Sequence, residues 1–146
     1  MKQLTQNKSV QDLIKTMEGF FAKAPALPTN IREIIVKITP WLALIFGILG
    51  VLGGLGAIGI SPVAMVGGVD ASAFILISGI LAIVSSILML VAYPKLKANS
   101  IEGWTLLFIS ELISVVSSLI SGAIIGAVIG GLIGFYFLFQ IKSYYK

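Results

Sequence analysis

One acidic residue lies inside the long apolar runs of this chain: Glu111, on the stretch from Trp104 to Leu119 that also carries Ser110, Ser114, Ser117 and Ser118. A carboxylate at membrane depth is costly, and chains that keep one pair it with another group or use it on an ion or proton path. On a helix, Ser114 and Ser118 follow Glu111 on its own face. Ser85 and Ser86 precede Tyr93 by eight and seven residues, which places them at a similar depth on the preceding apolar run. Two chemistries fit this set. In one, Glu111 binds a proton or a cation, with Ser114, Ser118, Ser85 and Ser86 as secondary ligands. In the other, Glu111 is a neutral interhelical hydrogen-bond partner and the serines are small residues that let helices approach.

Catalysis is not expected. The chain has no histidine and no cysteine, and Glu111 has no second acid beside it in the apolar runs. Intramembrane hydrolysis needs paired acids, a nucleophile with a base, or a metal. No phosphate-binding glycine loop with its lysine occurs either, so neither a metal nor a cofactor is expected.

The elements that must position Glu111 follow from composition. Hydrophobic residues make up 58% of the 146 and charged residues 11%, where a soluble domain carries roughly 25% charged residues. An integral membrane protein is expected, all-α, with four antiparallel transmembrane helices preceded by amphipathic interfacial helices. The spans are placed at about 40–60, 71–93, 104–119 and 123–141, giving a cytoplasmic segment 1–39 and a bundle 40–146. Thr39 is expected to cap the first span at Pro40, and Pro94 to close the second. Ser61 to Asp70 reads as an outer loop, with Asp70 as a helix cap. A turn is needed at Ser121-Gly122, because Trp104 to Ile141 as one helix would be about 57 Å long.

In residues 1–39, Ser9 is expected to cap a helix with Val10, Leu13, Ile14, Met17, Phe20 and Phe21 on one side. Pro25 and Pro28 end it, and Asn30 starts a second helix with Ile31, Ile34, Ile35 and Ile38 on one stripe. Such helices lie flat at the interface or pack beneath the bundle. The first strongly apolar run begins only at Trp41, so no cleavable signal peptide is expected. All ten Lys and Arg fall outside the apolar runs, in the N-terminal segment, at Lys95 and Lys97, and at the C-terminus. That is the positive-inside pattern of a multi-pass protein of the cell or inner membrane with both termini cytoplasmic. It accounts for the net charge of +4 without nucleic acid as a partner.

Glycine recurs at Gly122, Gly126, Gly130 and Gly134, and a second seam runs through Gly47, Gly50 and Gly54. Four glycines at helical spacing disfavour a helix in water, by about 1 kcal/mol each relative to alanine, but in lipid they permit close backbone approach. Each seam is expected to be a helix contact face, the last-span ladder meeting the first span within one chain or across a dimer. Two functions follow. The first is a structural or accessory protein acting through glycine-mediated packing, with the bilayer, further copies of itself or a larger membrane protein as partners. The second is a small transporter or channel subunit centred on Glu111.

Overall fold

The computed structural model describes residues 2–64, 66 and 69–146, and these contain helices and no strand. In chain order the α-helices are α1 (Lys2–Thr5), α2 (Lys8–Phe21), α3 (Thr29–Ala64), α4 (Val69–Lys97), α5 (Ile101–Ile120) and α6 (Ile124–Ile141). A single 3₁₀ turn, Lys142–Tyr144, follows. Helices α3 to α6 are each long and apolar enough to cross a membrane, as a multi-pass membrane protein requires.

Two helix boundaries differ from expectation. Thr39 does not cap a span: α3 runs unbroken from Thr29 through Pro40 and is 36 residues long. Its length of about 54 Å exceeds the hydrocarbon layer, so part of it extends beyond. Proline removes an amide donor there. The Thr39 hydroxyl donates back to the Ile35 carbonyl at 2.6 Å, and Thr39 and Pro40 are both buried. The carbonyl that Pro40 leaves without an amide is that of Val36, one residue on, so this bond accompanies the proline rather than replacing its missing donor. Nor is there a ten-residue outer loop, because α3 continues through Pro62 to Ala64 and α4 begins at Val69. Met65, Gly67 and Gly68 of that expected loop, and the Asp70 side chain, lie outside the described residues. At the other end, α4 runs past Pro94 to Lys97.

Helix α5 is the centre. Its residues from Gly103 to Ser110 are all buried, and Trp104, placed by sequence at the head of a span, is wholly enclosed. The Trp104 indole N–H donates to the Leu138 carbonyl of α6 at 2.8 Å, and its ring stacks on Phe108 with centroids 5.7 Å apart. A buried indole needs such an acceptor. Ser100 caps α5, its side chain accepting from the Glu102 amide. The α5–α6 turn forms at Ser121-Gly122: Gly122 has φ +80°, and the Ala123 amide donates to the Ser118 carbonyl at 2.9 Å. That left-handed backbone at a helix end favours glycine.

Helix α3 packs along α4 through the first glycine seam. A Cβ added at Gly47 would lie 2.8 Å from the Leu90 side chain, and one at Gly54 would lie 2.8 Å from the Gly79 carbonyl oxygen. Gly50 lies against Ser86, whose hydroxyl occupies the space a Cβ would fill.

The N-terminal segment is clasped onto α6. Asn7, not Ser9, caps α2 by accepting from the Ser9 amide at 2.9 Å. Ile14 and Phe21 are buried, Phe21 stacks on Phe139 with centroids 5.4 Å apart, and Glu18 pairs with Lys142 at 2.5 Å. The Tyr136 hydroxyl donates to the Pro25 carbonyl at 2.7 Å, and Gln140 accepts from the Leu27 amide at 3.1 Å. The C-terminal Lys146 backbone meets the α4–α5 connection, its amide donating to Asn99 and its carbonyl accepting from Ile101, both at 2.9 Å. Helix α2, the C-terminus and the end of α4 bearing Lys95 and Lys97 therefore gather at one end of the molecule.

Tyr145 sits in this end, buried, with its hydroxyl toward Thr39 but without a hydrogen-bond partner. Burial pushes the phenol up to about 12. A raised folded-state value means stability that is intact below the ordinary tyrosine range near 10 and is lost as pH climbs toward about 12. Thermal melts across that window are expected to fall less steeply in Tyr145→Phe than in the parent chain. A second expectation concerns the α3–α4 seam. Gly54→Ala drives a methyl into the Gly79 carbonyl and is expected to cost about 1–3 kcal/mol. Gly53→Ala meets open space and is expected to stay within about 0.5 kcal/mol, as read by detergent-denaturant unfolding.

Candidate functional site

Glu111 stands at the middle of α5, ten residues from Ile101 and nine from Ile120. At 1.5 Å per residue this is about 15 Å from either end, deeper than a span opening at Trp104 would place it. The carboxylate is half-buried and has no hydrogen-bond or ion-pair partner among the described residues.

Its surroundings differ sharply on its two sides. Toward the basic end lies a cavity of about 390 Å³ between α3, α5 and α6, walled by apolar residues such as Leu42, Ala43, Leu107 and Phe137. Among the described residues, Thr39 and Glu111 are the only side chains on that wall with an oxygen or nitrogen atom. Toward the other end lies a cavity of about 380 Å³, lined by Ser85, Ser86, Ser114, Ser117 and Ser118. Glu111 borders both cavities, and so do Phe46 of α3 and Met89 of α4.

Local sequence explains this arrangement. Serine hydroxyls on membrane helices satisfy themselves on neighbouring backbone or on each other, and these do both. Ser85 and Ser114 share a hydrogen bond of 3.0 Å across α4 and α5. Ser117 donates to the Ser78 carbonyl at 3.1 Å, and Ser86 turns back to the Ala82 carbonyl at 2.6 Å. The expected contact of Glu111 with Ser85 or Ser86 is therefore not made, because each of those hydroxyls has found another partner. All four candidate serines, Ser85, Ser86, Ser114 and Ser118, nevertheless line the same cavity as the carboxylate.

The last glycine of the ladder has a separate position. At Gly134 on α6, an added Cβ would lie 2.8 Å from the Glu111 carboxyl carbon, so the carboxyl group rests where a side chain would be. Gly126 and Gly130 face open space, and Gly122 forms the turn. The neighbouring Gly131, rather than the ladder itself, lies against α5, with a Cβ there 2.8 Å from Val115. Within one chain the ladder does not meet the first span: α3 places Gly47, Gly50 and Gly54 on α4 instead. Sequence reasoning missed the pairing of Gly134 with Glu111 and the shared wall of Phe46 and Met89. A glycine on the span facing a lone acid was the available signal, but spacing along one helix does not say what stands across from it.

Comparison with protein-family models, with curated proteins and with solved structures finds no match to this chain. The site is therefore read from its own chemistry: a carboxylate with no counter-charge among the described residues, bordering apolar walls on one side and hydroxyls on the other. Gly134→Ala is expected to displace the Glu111 carboxyl, the far end of a flexible side chain with no hydrogen bond to lose, and to cost less than about 1 kcal/mol in detergent unfolding. Gly126→Ala, where a methyl meets nothing, is expected to leave single-chain stability within about 0.5 kcal/mol.

Proposed function

We propose that this chain is a small transporter or channel subunit in which Glu111 binds a proton or a cation. The observation that carries this reading is the unpartnered carboxylate shared by two cavities, at the middle of a helix long enough to span the bilayer. An acid retained at that depth with no structural partner is doing something other than holding the bundle together. The serines offer secondary oxygen ligands on one side. In the same reading the four helices run alternately up and down, with both termini and the α4–α5 loop at the cytoplasmic face of a cell or inner membrane. The gathering of Lys95, Lys97, Lys142 and Lys146 near α2 supports this orientation. Helix α2 then lies at the interface as an amphipathic element, Ile14 and Phe21 inward and Lys8 and Lys15 outward.

A second reading is favoured by a different surface. A Cβ at Gly126 or Gly130 would meet nothing within 4 Å among the described residues, and Ile125, Val128 and Ile129 around them are exposed. In lipid this is a face that another helix can approach closely, as in a structural or accessory protein that works by assembly with itself or with a larger membrane protein. The two readings separate by experiment. Glu111→Gln in liposomes is expected to reduce proton- or sodium-driven flux by at least about tenfold, as loss of an essential buried charge does. Wild-type liposomes without flux, or flux untouched by the substitution, would refute the transport reading. For the assembly reading, Gly126→Leu and Gly130→Leu are expected to shift the detergent-solubilised protein to monomers in sedimentation, and unchanged assembly would exclude the ladder as a contact face.

A further inference from the structure

We infer that the ligand of the Glu111 site is an amphiphilic organic monocation, such as an alkylammonium, that enters from the lipid with its chain in the apolar cavity and its charge on Glu111. This rests on the reading of Glu111 as a cation-binding group and specifies what that cation is.

The shape and chemistry of the two cavities make the choice. The apolar cavity opens sideways between α3 and α6: Ile38, Leu42 and Phe46 on one lip and Phe137 on the other are 40–56% exposed. A surface of that kind at membrane depth is reached from hydrocarbon, so the occupant is a molecule that dissolves in the bilayer. Its volume of about 390 Å³ is that of a site for a small organic ligand. Carboxylate chemistry then restricts the class. Glu111 has no cationic partner among the described residues and lines a cavity whose other walls, Thr39 apart, are apolar, so charge complementarity calls for a positive head and an apolar tail. An uncharged lipid chain would leave the carboxylate unpaired. A bare metal ion held between Glu111 and the serines would leave the apolar cavity empty, since that side offers no oxygen ligand beyond Thr39 and Glu111, whereas an amphiphilic cation fills both compartments.

The serine cavity completes the head site. An ammonium donates hydrogen bonds and accepts none. Held at the Glu111 carboxylate, it has the Ser114 and Ser118 hydroxyl oxygens on the far side as further acceptors. Phe46 lines both cavities, and where its ring face meets the charged head it adds to cation binding.

Binding of radiolabelled decylammonium to the full chain in phosphatidylcholine nanodiscs tests the inference, with affinity expressed per mole fraction in the lipid. Expected is saturable binding, displaced by unlabelled decylammonium but not by decanol or decyl sulfate of the same chain length. Glu111→Gln is expected to weaken it by more than about tenfold, since an unpaired head is left behind. Leu42→Trp, at the cavity mouth, is expected to weaken it with helical content unchanged. Competition by decanol would overturn the inference by making the cavity a crevice for lipid chains. Binding insensitive to Glu111→Gln would overturn it by removing the receptor charge. Cross-linking of Leu42→Cys between two chains, unaffected by decylammonium, would overturn it by giving the cavity mouth to a second copy. Flux lost in Glu111→Gln with decylammonium binding intact refutes this inference and leaves the transport reading standing. Binding lost in Glu111→Gln, with no flux in the parent chain, upholds the inference and refutes transport.

Discussion

Apolar side chains gain almost nothing by leaving lipid for one another, so a bundle of this composition coheres only where its helices come close enough for dispersion and hydrogen bonding to act. Every other feature of the molecule depends on where that approach succeeds. Along α3 and α4 it succeeds through Gly47, Gly50, Gly54 and Gly79, where backbone and hydroxyl atoms fill the places of absent side chains. Between α5 and α6 the buried Trp104, Phe108, Phe135 and Leu138 do the same work with aromatic packing and one indole hydrogen bond. Between α3 and α6 it does not succeed. The gap left there is the apolar cavity, and Glu111 is on its wall.

The carboxylate is thus placed by packing rather than by a partner. Gly134 supplies room for it on α6, while Ser85 and Ser114 pair with each other and leave it without a hydrogen bond. Had either serine turned toward Glu111, a neutral structural hydrogen bond would account for the acid. Instead the site combines a carboxylate without a hydrogen bond among the described residues, an apolar-walled cavity and a hydroxyl-lined cavity beside it. A packing group is satisfied by what surrounds it, which is why the proposed reading makes Glu111 a binding group.

The long apolar helices were legible in the sequence, since unbroken runs of the right length admit few alternatives. The lone acid was equally legible. Their boundaries were less so. Pro40 reads as the start of a helix, yet Thr39 back-bonds to Ile35 and α3 continues through it. The inner details depend on which helix faces which, and periodicity along one helix carries no such information. Gly122, Gly126, Gly130 and Gly134 form one series in sequence, but the structure divides them into a turn, two open positions and the seat of a carboxyl group. Trp104 likewise reads as a residue at the end of a span, and only its contacts with α6 reveal it as the centre of the core.

The central claim is that the Glu111 carboxylate itself receives the cation. The most direct measurement is an infrared difference spectrum of glutamate-labelled protein in nanodiscs, recorded on adding decylammonium, with the Glu111 band assigned by its absence in Glu111→Gln. The account predicts that this band changes with a saturation curve matching the binding isotherm. A Glu111 band that stays unchanged while decylammonium saturates the protein would contradict it.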